Sequence, residues 1–240
     1  MFGGGLGLGA GLGASLPTPP YANNLRAWYR SDRRVSVLSG NVTGWGDISG
    51  NGLDSHSIAS HHPTYTAVDA TWNNLPSINF LASGNQYLEY APVGFNIAQP
   101  LTIIWIGLMS TTVFGSMVDG RGAGLIGQNG AAKAGFYAGT FVNSGIAVTS
   151  PSFVAGVFAH AGGNSAQYVD SSTASSTSDP GAGIIGGGVG AGYLIGANNG
   201  LSNASTGSVV EVFIYGEAVS QPNIATIVAY AATRYGQSWS

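Results

Sequence analysis

Residues Leu101 to Met109 read LTIIWIGLM. The run is apolar on both alternations and includes three isoleucines, Ile103, Ile104 and Ile106. Such a run suits a central strand buried on both faces. Outward from it, the chain repeats the same signal. Phe153 to His160 (FVAGVFAH) is a second apolar run, and Val209 to Tyr215 (VVEVFIY) is a third, with Val210, Val212 and Ile214 expected on one face. Leu25 to Arg30, Ser165 to Asp170 and Gly192 to Ala197 are shorter strand candidates. Between them lie Gly50-Asn51-Gly52, Ser83-Gly84-Asn85, Gly162-Gly163-Asn164 and Asn198-Asn199-Gly200, the chemistry of tight turns. Many short strands punctuated this way predict a sandwich or barrel. One segment reads as helix. Ser220 is a candidate N-cap and Pro222 sits in the first turn. Ile224, Ile227, Val228, Ala231 and Tyr235 then form an apolar stripe, and Gly236 supplies the stop.

Composition narrows the function. The 240 residues include 39 Gly, no Cys, seven Lys+Arg and ten Asp+Glu, for a net charge of -3. So few basic groups give no footprint for nucleic acid. Without cysteine there is no disulfide framework, no thiolate zinc site and no thiol nucleophile. Residues 91–210 carry five charged groups: Asp119, Arg121, Lys133, Asp170 and Asp179. A surface so poor in charge can lie against copies of itself, which makes a homo-oligomer a candidate assembly.

The first twenty residues differ from the rest. Met1 to Leu16 reads MFGGGLGLGAGLGASL, followed by Pro17-Thr18-Pro19-Pro20. There is no basic n-region, and glycine alternates with leucine where a signal helix would lie, so no cleaved leader or membrane span is expected. Extended, twenty residues reach roughly 66 Å. Phe2, Leu6, Leu8, Leu12 and Leu16 are the candidate anchors of a docking arm, the glycines allowing close backbone approach to a partner. The expected organisation is an arm over 1–20 and one β domain over 21–240.

The motifs within that domain point to a family. Ala27-Trp28-Tyr29-Arg30-Ser31-Asp32 is followed by the turn Trp45-Gly46-Asp47-Ile48-Ser49-Gly50-Asn51-Gly52. The Trp is a core anchor, and the Asp can accept backbone N–H groups in the turn. Next come Leu75 to Phe80 with Gln86 to Glu89, then Phe153 to Asp170. The chain closes with Val210-Glu211-Val212-Phe213-Ile214-Tyr215 and Arg234-Tyr235-Gly236. In this order, over residues 21–236, the chain resembles the concanavalin A-like lectin/glucanase superfamily, specifically its LamG-like jelly rolls. The resemblance implies two packed antiparallel sheets, with a hairpin at 75–89 and another at 153–170. The expected fold is thus an all-β, two-sheet antiparallel jelly-roll sandwich with one C-terminal helix and an extended Gly-rich N-terminal arm. Glycan binding, adhesion and purely structural roles all occur on such folds, and related modules occur on phage virion proteins.

Catalytic chemistry is sparse. The glucanase branch carries an E-x-D-x-x-E strand, which this chain lacks. Glu211 and Glu217 are the nearest pair, but six strand residues span nearly 20 Å, against ~5–5.5 Å for a retaining pair. Glu211 is read instead as a structural ion-pair partner of Arg234 or Arg26. No G-x-S-x-G elbow or phosphate-binding loop is present. His56, His61 and His62 lie close in sequence but read as a solvated loop. Some LamG domains bind Ca²⁺, but here Asp119, Asp170 and Asp179 are isolated, so no cofactor or metal is expected. Trp28, Trp45 and Trp105 occupy core positions. That leaves Tyr65 and Trp72, between residues 54 and 76, as the candidates for stacking on a sugar. The expectation is a non-enzymatic bacteriophage virion structural protein (capsid decoration, head fibre or tail attachment), assembled in the host cytoplasm. Residues 1–20 would anchor it to other virion proteins, with a host-surface glycan as a further partner. The alternative is a carbohydrate-binding, lectin-like module of a bacterial envelope or secreted protein, and after that a glycoside hydrolase.

Overall fold

The computed structural model describes residues 17–58, 60–110, 115–128, 132–186, 192–198 and 204–240. The proposed arm anchors Phe2, Leu6, Leu8, Leu12 and Leu16 lie outside them. Sixteen strands are formed by the described residues: β1 (Leu25–Arg30), β2 (Val35–Leu38), β3 (Asn41–Trp45), β4 (Ser55–His56), β5 (Thr64–Asp69), β6 (Leu75–Phe80), β7 (Leu88–Tyr90), β8 (Leu101–Met109), β9 (Gly115–Asp119), β10 (Gly124–Gln128), β11 (Lys133–Tyr137), β12 (Phe141–Ala147), β13 (Ser152–Phe158), β14 (Ala166–Val169), β15 (Tyr193–Ile195) and β16 (Gly207–Tyr215). A single α-helix, α1 (Gln221–Tyr235), follows them.

All named pairings are antiparallel, as expected, but the hydrogen bonding does not divide into two sheets. It runs without a break from β12 through β11, β10, β9, β15, β7, β4, β3, β5, β6, β16, β8 and β13 to β14. The sheet wraps on itself into a nearly closed, barrel-like body. Strands β10 and β8, and β12 and β14, approach each other across the interior. The physical reason is the short linking strands β3, β5 and β6, which carry the ladder around the corner where a sandwich would break it.

Two walls face one core. In the first, Tyr29, Val212, Ile214, Ile103, Trp105 and Val154 point inward; in the second, Leu88, Ile195, Val118, Leu125 and Phe136 do so. Because side chains alternate along each strand, the intervening residues point outward. On the first wall these are Trp28, Phe213, Ile104, Ala155 and Tyr168, a transverse apolar row that pairs in register across β1, β16, β8, β13 and β14. Helix α1 covers this face. Its predicted stripe, Ile224, Ile227, Val228, Ala231 and Tyr235, is buried there. Gly236 ends the helix at φ 66, and Ser220 occupies the N-cap without a side-chain capping bond.

Strand β16 departs from simple alternation. A bulge between Val209 and Glu211 shifts its register against β8. As a result Val210 packs under the helix, while Val212 and Ile214 face the interior. A bulged residue breaks the period of two, which corrects the single face expected for these three. The segments 75–80 and 86–89 are likewise not a hairpin. β6 pairs with β5 and β16, while β7 pairs with β4 and β15. Strands β13 and β14 do form the expected hairpin.

The turn after Trp45 closes an edge. Asp47 accepts from the backbone N–H of Trp28 (2.9 Å), Ser49 (2.8 Å) and Leu53 (3.2 Å), and from the Ser49 hydroxyl (2.7 Å). Asn51 Nδ2 donates to the carbonyls of Leu25 and Arg26. Gly50 and Gly52 adopt φ 95 and 73, which a side chain at either position would strain. The turn thereby occupies backbone groups on the free side of β1 that would otherwise offer an edge for pairing.

Candidate functional site

Glu211 on β16 is wholly buried beneath α1. It accepts from the Trp28 indole Nε1 (2.6 Å), the Tyr230 hydroxyl (3.0 Å) and the Tyr235 hydroxyl (2.8 Å). Burial pushes its pKa up to about 7, and the donated hydrogen bonds only partly oppose this. Neither cation expected as its partner contacts it. Arg234 pairs with Asp32 at 2.8 Å, and Asp32 also accepts from Nε and Nη2 of Arg30. Three neutral donors serve Glu211 because the helix brings two tyrosines and β1 an indole to one point. With no exposed surface, this carboxylate is a structural fastening between helix and sheet. Glu217, expected on the same strand face, lies beyond the end of β16 and accepts from Tyr21 and Asn24.

The two sequence candidates for sugar stacking lie at different depths. Trp72 is wholly buried, donates to Ser208 Oγ at 3.1 Å and packs edge-on against Tyr235. It belongs to a short helical turn after β5, where a loop was expected, and that turn presses it beneath the helix. Tyr65 lies on β5, half-buried against the interior, with its hydroxyl on the Ser31 carbonyl. The three loop histidines diverge. His62 pairs with Ser57, His61 lies against Tyr87, and His56 faces Glu89. Among the described residues no group of three or more His, Asp or Glu is arranged to hold a metal. Asp119, Asp170 and Asp179 serve separate places: Asp170 accepts from Phe153 N, Asp179 pairs with His160, and Asp119 accepts from Arg121 N.

The outer face of the second wall is different. Strand register aligns His56, Glu89, Leu194, Asp119, Gly124, Tyr137 and Phe141 in one row across β4, β7, β15, β9, β10, β11 and β12. The next row along, Leu88-Ile195-Val118-Leu125-Phe136, is the core wall, so this one faces out. At one end Glu89 sits 3.5 Å from the Arg121 guanidinium and 4.0 Å from His56 Nε2. Asp119 accepts from the Arg121 backbone N–H at 2.7 Å. At the other end Tyr137 is 40% exposed. The Phe141 ring lies across Gly135, where a β-carbon would stand 2.2 Å from the ring edge. The row thus joins a charged half, rich in fixed donors and acceptors, to an aromatic half with an accessible ring. Sequence reading missed it because its members are scattered singly over residues 56–141 and 194, and only strand pairing assembles them.

No protein-family model matches the chain, and neither does any curated protein sequence. Solved structures do share the fold. The binding domain of Paraclostridial Mosquitocidal Protein 1 is similar with a TM-score of 0.59 at 10% identity, over 86% of this chain and 52% of that one. Trypanosoma rangeli sialidase, in complex with the inhibitor DANA, gives 0.58 at 13%, over 90% of this chain. The chain spans only 34% of the sialidase's length. Domain 4 of AbnA, a GH43 extracellular arabinanase from Geobacillus stearothermophilus, in complex with arabinotriose, gives 0.56 at 13%, over 87% of this chain and 100% of that domain. The chain therefore shares its antiparallel β fold with these domains.

Proposed function

We propose that the chain is a non-catalytic carbohydrate-binding module that lays a glycan along the outer row from His56 to Phe141. The observation that carries this reading is the register that sets an exposed aromatic end, Tyr137, and a charged end, His56 with Glu89 and Arg121, on one outward row, either side of the buried Leu194. Aromatic rings take the apolar faces of sugars, and carboxylate, guanidinium and imidazole groups take hydroxyls. The likeness in fold to a domain in complex with arabinotriose supports it. The carboxylates of the row already have partners in Arg121, which suits fixed hydrogen bonding better than the proton transfer that hydrolysis requires.

Glycan-array screening followed by calorimetry on the best ligand tests this. Tyr137→Ala and Glu89→Gln should each weaken binding by about tenfold, the scale of one lost contact worth ~1.4 kcal/mol. No turnover of that ligand is expected. Undiminished affinity in both variants would sink the assignment of the row. Display of the module on a phage particle through residues 1–20 is a further proposal, resting on sequence alone. A chain lacking those residues should fold yet no longer co-sediment with particles, and retained co-sedimentation would defeat it.

A further inference from the structure

Of the seven basic side chains, five pair with carboxylates: Arg30, Arg33 and Arg234 with Asp32, Arg34 with Asp54, and Arg121 with Glu89. Arg26 is exposed and has no ion-pair or hydrogen-bond partner for its guanidinium among the described residues. It lines a cleft of about 440 Å³ with Phe95, Asn96, Ile97, Pro100 and Gly216. That volume falls within the range of small-molecule sites, roughly 300–1,000 Å³.

Three details give the cleft a chemical character. Gly216 lacks the positive φ that would demand glycine, but a β-carbon there would stand 2.8 Å from Arg26 Nε. The missing side chain is therefore room for the guanidinium. The neighbouring acid forms no ion pair with it: Glu217 instead accepts from the Tyr21 hydroxyl (2.6 Å) and Asn24 Nδ2 (2.9 Å). The far wall is firm. Phe95 is packed edge-on against Tyr90 at 4.9 Å, and Ile97 bridges to Ile185. Gln99 is fully used by Gly181, Gly183 and His160, whereas Asn96 has no side-chain partner among the described residues.

We infer that this cleft binds a carboxylate carried on a hydroxylated ring, an acidic monosaccharide unit. Arg26 would take the carboxylate, Asn96 a ring hydroxyl, and Phe95 with Pro100 the apolar face of the ring. The choice of a sugar ring rests on the glycan-binding reading. The site itself shares no residue with the outer row and can succeed or fail separately.

The test compares D-glucuronic acid with D-glucose, which differ in the carboxylate, by titration of the full chain followed by NMR. Glucuronate should bind at least tenfold more tightly than glucose. Arg26→Gln should abolish that preference. Gly216→Ala should abolish it too, by pushing the guanidinium out of place, with thermal stability unchanged in both variants. Tyr137→Ala should leave glucuronate binding intact even where it removes the row's oligosaccharide ligand. Equal binding of the two sugars, or a preference for glucuronate that survives Arg26→Gln, would overturn the inference.

Discussion

The two outer faces of the wrapped sheet hold carboxylates under opposite conditions. On the first wall, Glu211 stands among Trp28, Phe213 and Ile104, and the helix closes over all of them. On the second, Glu89 and Asp119 stand among His56, Gly124 and Tyr137, and His56 and Tyr137 remain open to solvent. The strands present outward rows by the same alternation, so the difference comes from composition. An apolar outer row must be covered, and covering it desolvates any acid within it. A mixed row can leave its ends, here His56 and Tyr137, in water even though Leu194 at its centre is buried. Position on the fold therefore does not by itself assign a role to an acid; the company its row keeps does.

The strongest way to break this contrast is to remove the buried acid. Glu211→Ala strips the acceptor from Trp28, Tyr230 and Tyr235 and opens a cavity beneath the helix. Orphaned buried donors cost about 1–3 kcal/mol each. Urea unfolding at pH 5 should show a loss of at least about 3 kcal/mol, with α1 loosened from the sheet. If instead stability held and glycan binding fell, the roles assigned to the two faces would be reversed.

The next effect is pH dependence. The folded-state pKa of Glu211 is raised from 4.5 to about 7, so the folded chain holds this proton more tightly than the unfolded chain. The resulting stabilisation is complete below pH 4.5 and is lost as pH rises through 7. The full span is on the order of 3 kcal/mol at 1.36 kcal/mol per unit. Melting temperature should therefore fall between pH 5 and pH 8, and Glu211→Gln, which cannot titrate, should flatten that slope. A slope unchanged in the variant would assign the pH dependence to another group.

How much of this was legible in the sequence depends on how local each feature is. The Asp47 turn could be read directly, because its partners Ser49 and Leu53 lie within six residues and its geometry follows from the Gly-Asn-Gly run. The helix was equally clear, from a stripe at 3.6-residue spacing with Pro222 near its start and Gly236 at its end. The long central strand β8 announced itself by being apolar on both faces. The bulge in β16 left no such mark, and a one-residue shift there reversed the face assigned to Val210. Trp72 was misjudged because its neighbours in sequence are polar, whereas its neighbours in space, Ser208 and Tyr235, lie more than 130 residues away. The outer row is the extreme case: seven residues, each unremarkable in its own segment, meet only after seven strands have found their register.

The smallest expected effect sharpens the contrast from the other side. The side chains of Glu89 and Arg121 are mostly buried, but their ion pair is long at 3.5 Å, and the approach of Glu89 to His56 is 4.0 Å. Glu89→Gln keeps the side-chain shape and an acceptor, so its unfolding free energy should stay within about 0.5 kcal/mol of the parent. Its affinity for the row's ligand should nonetheless drop about tenfold, a loss that salt would not reproduce in the parent if the carboxylate acts through directed hydrogen bonds to sugar hydroxyls. An acid that mattered to folding but not to binding would show the converse, as Glu211 should. A stability loss above 2 kcal/mol in Glu89→Gln would mean that the second face, too, holds its carboxylate for the fold.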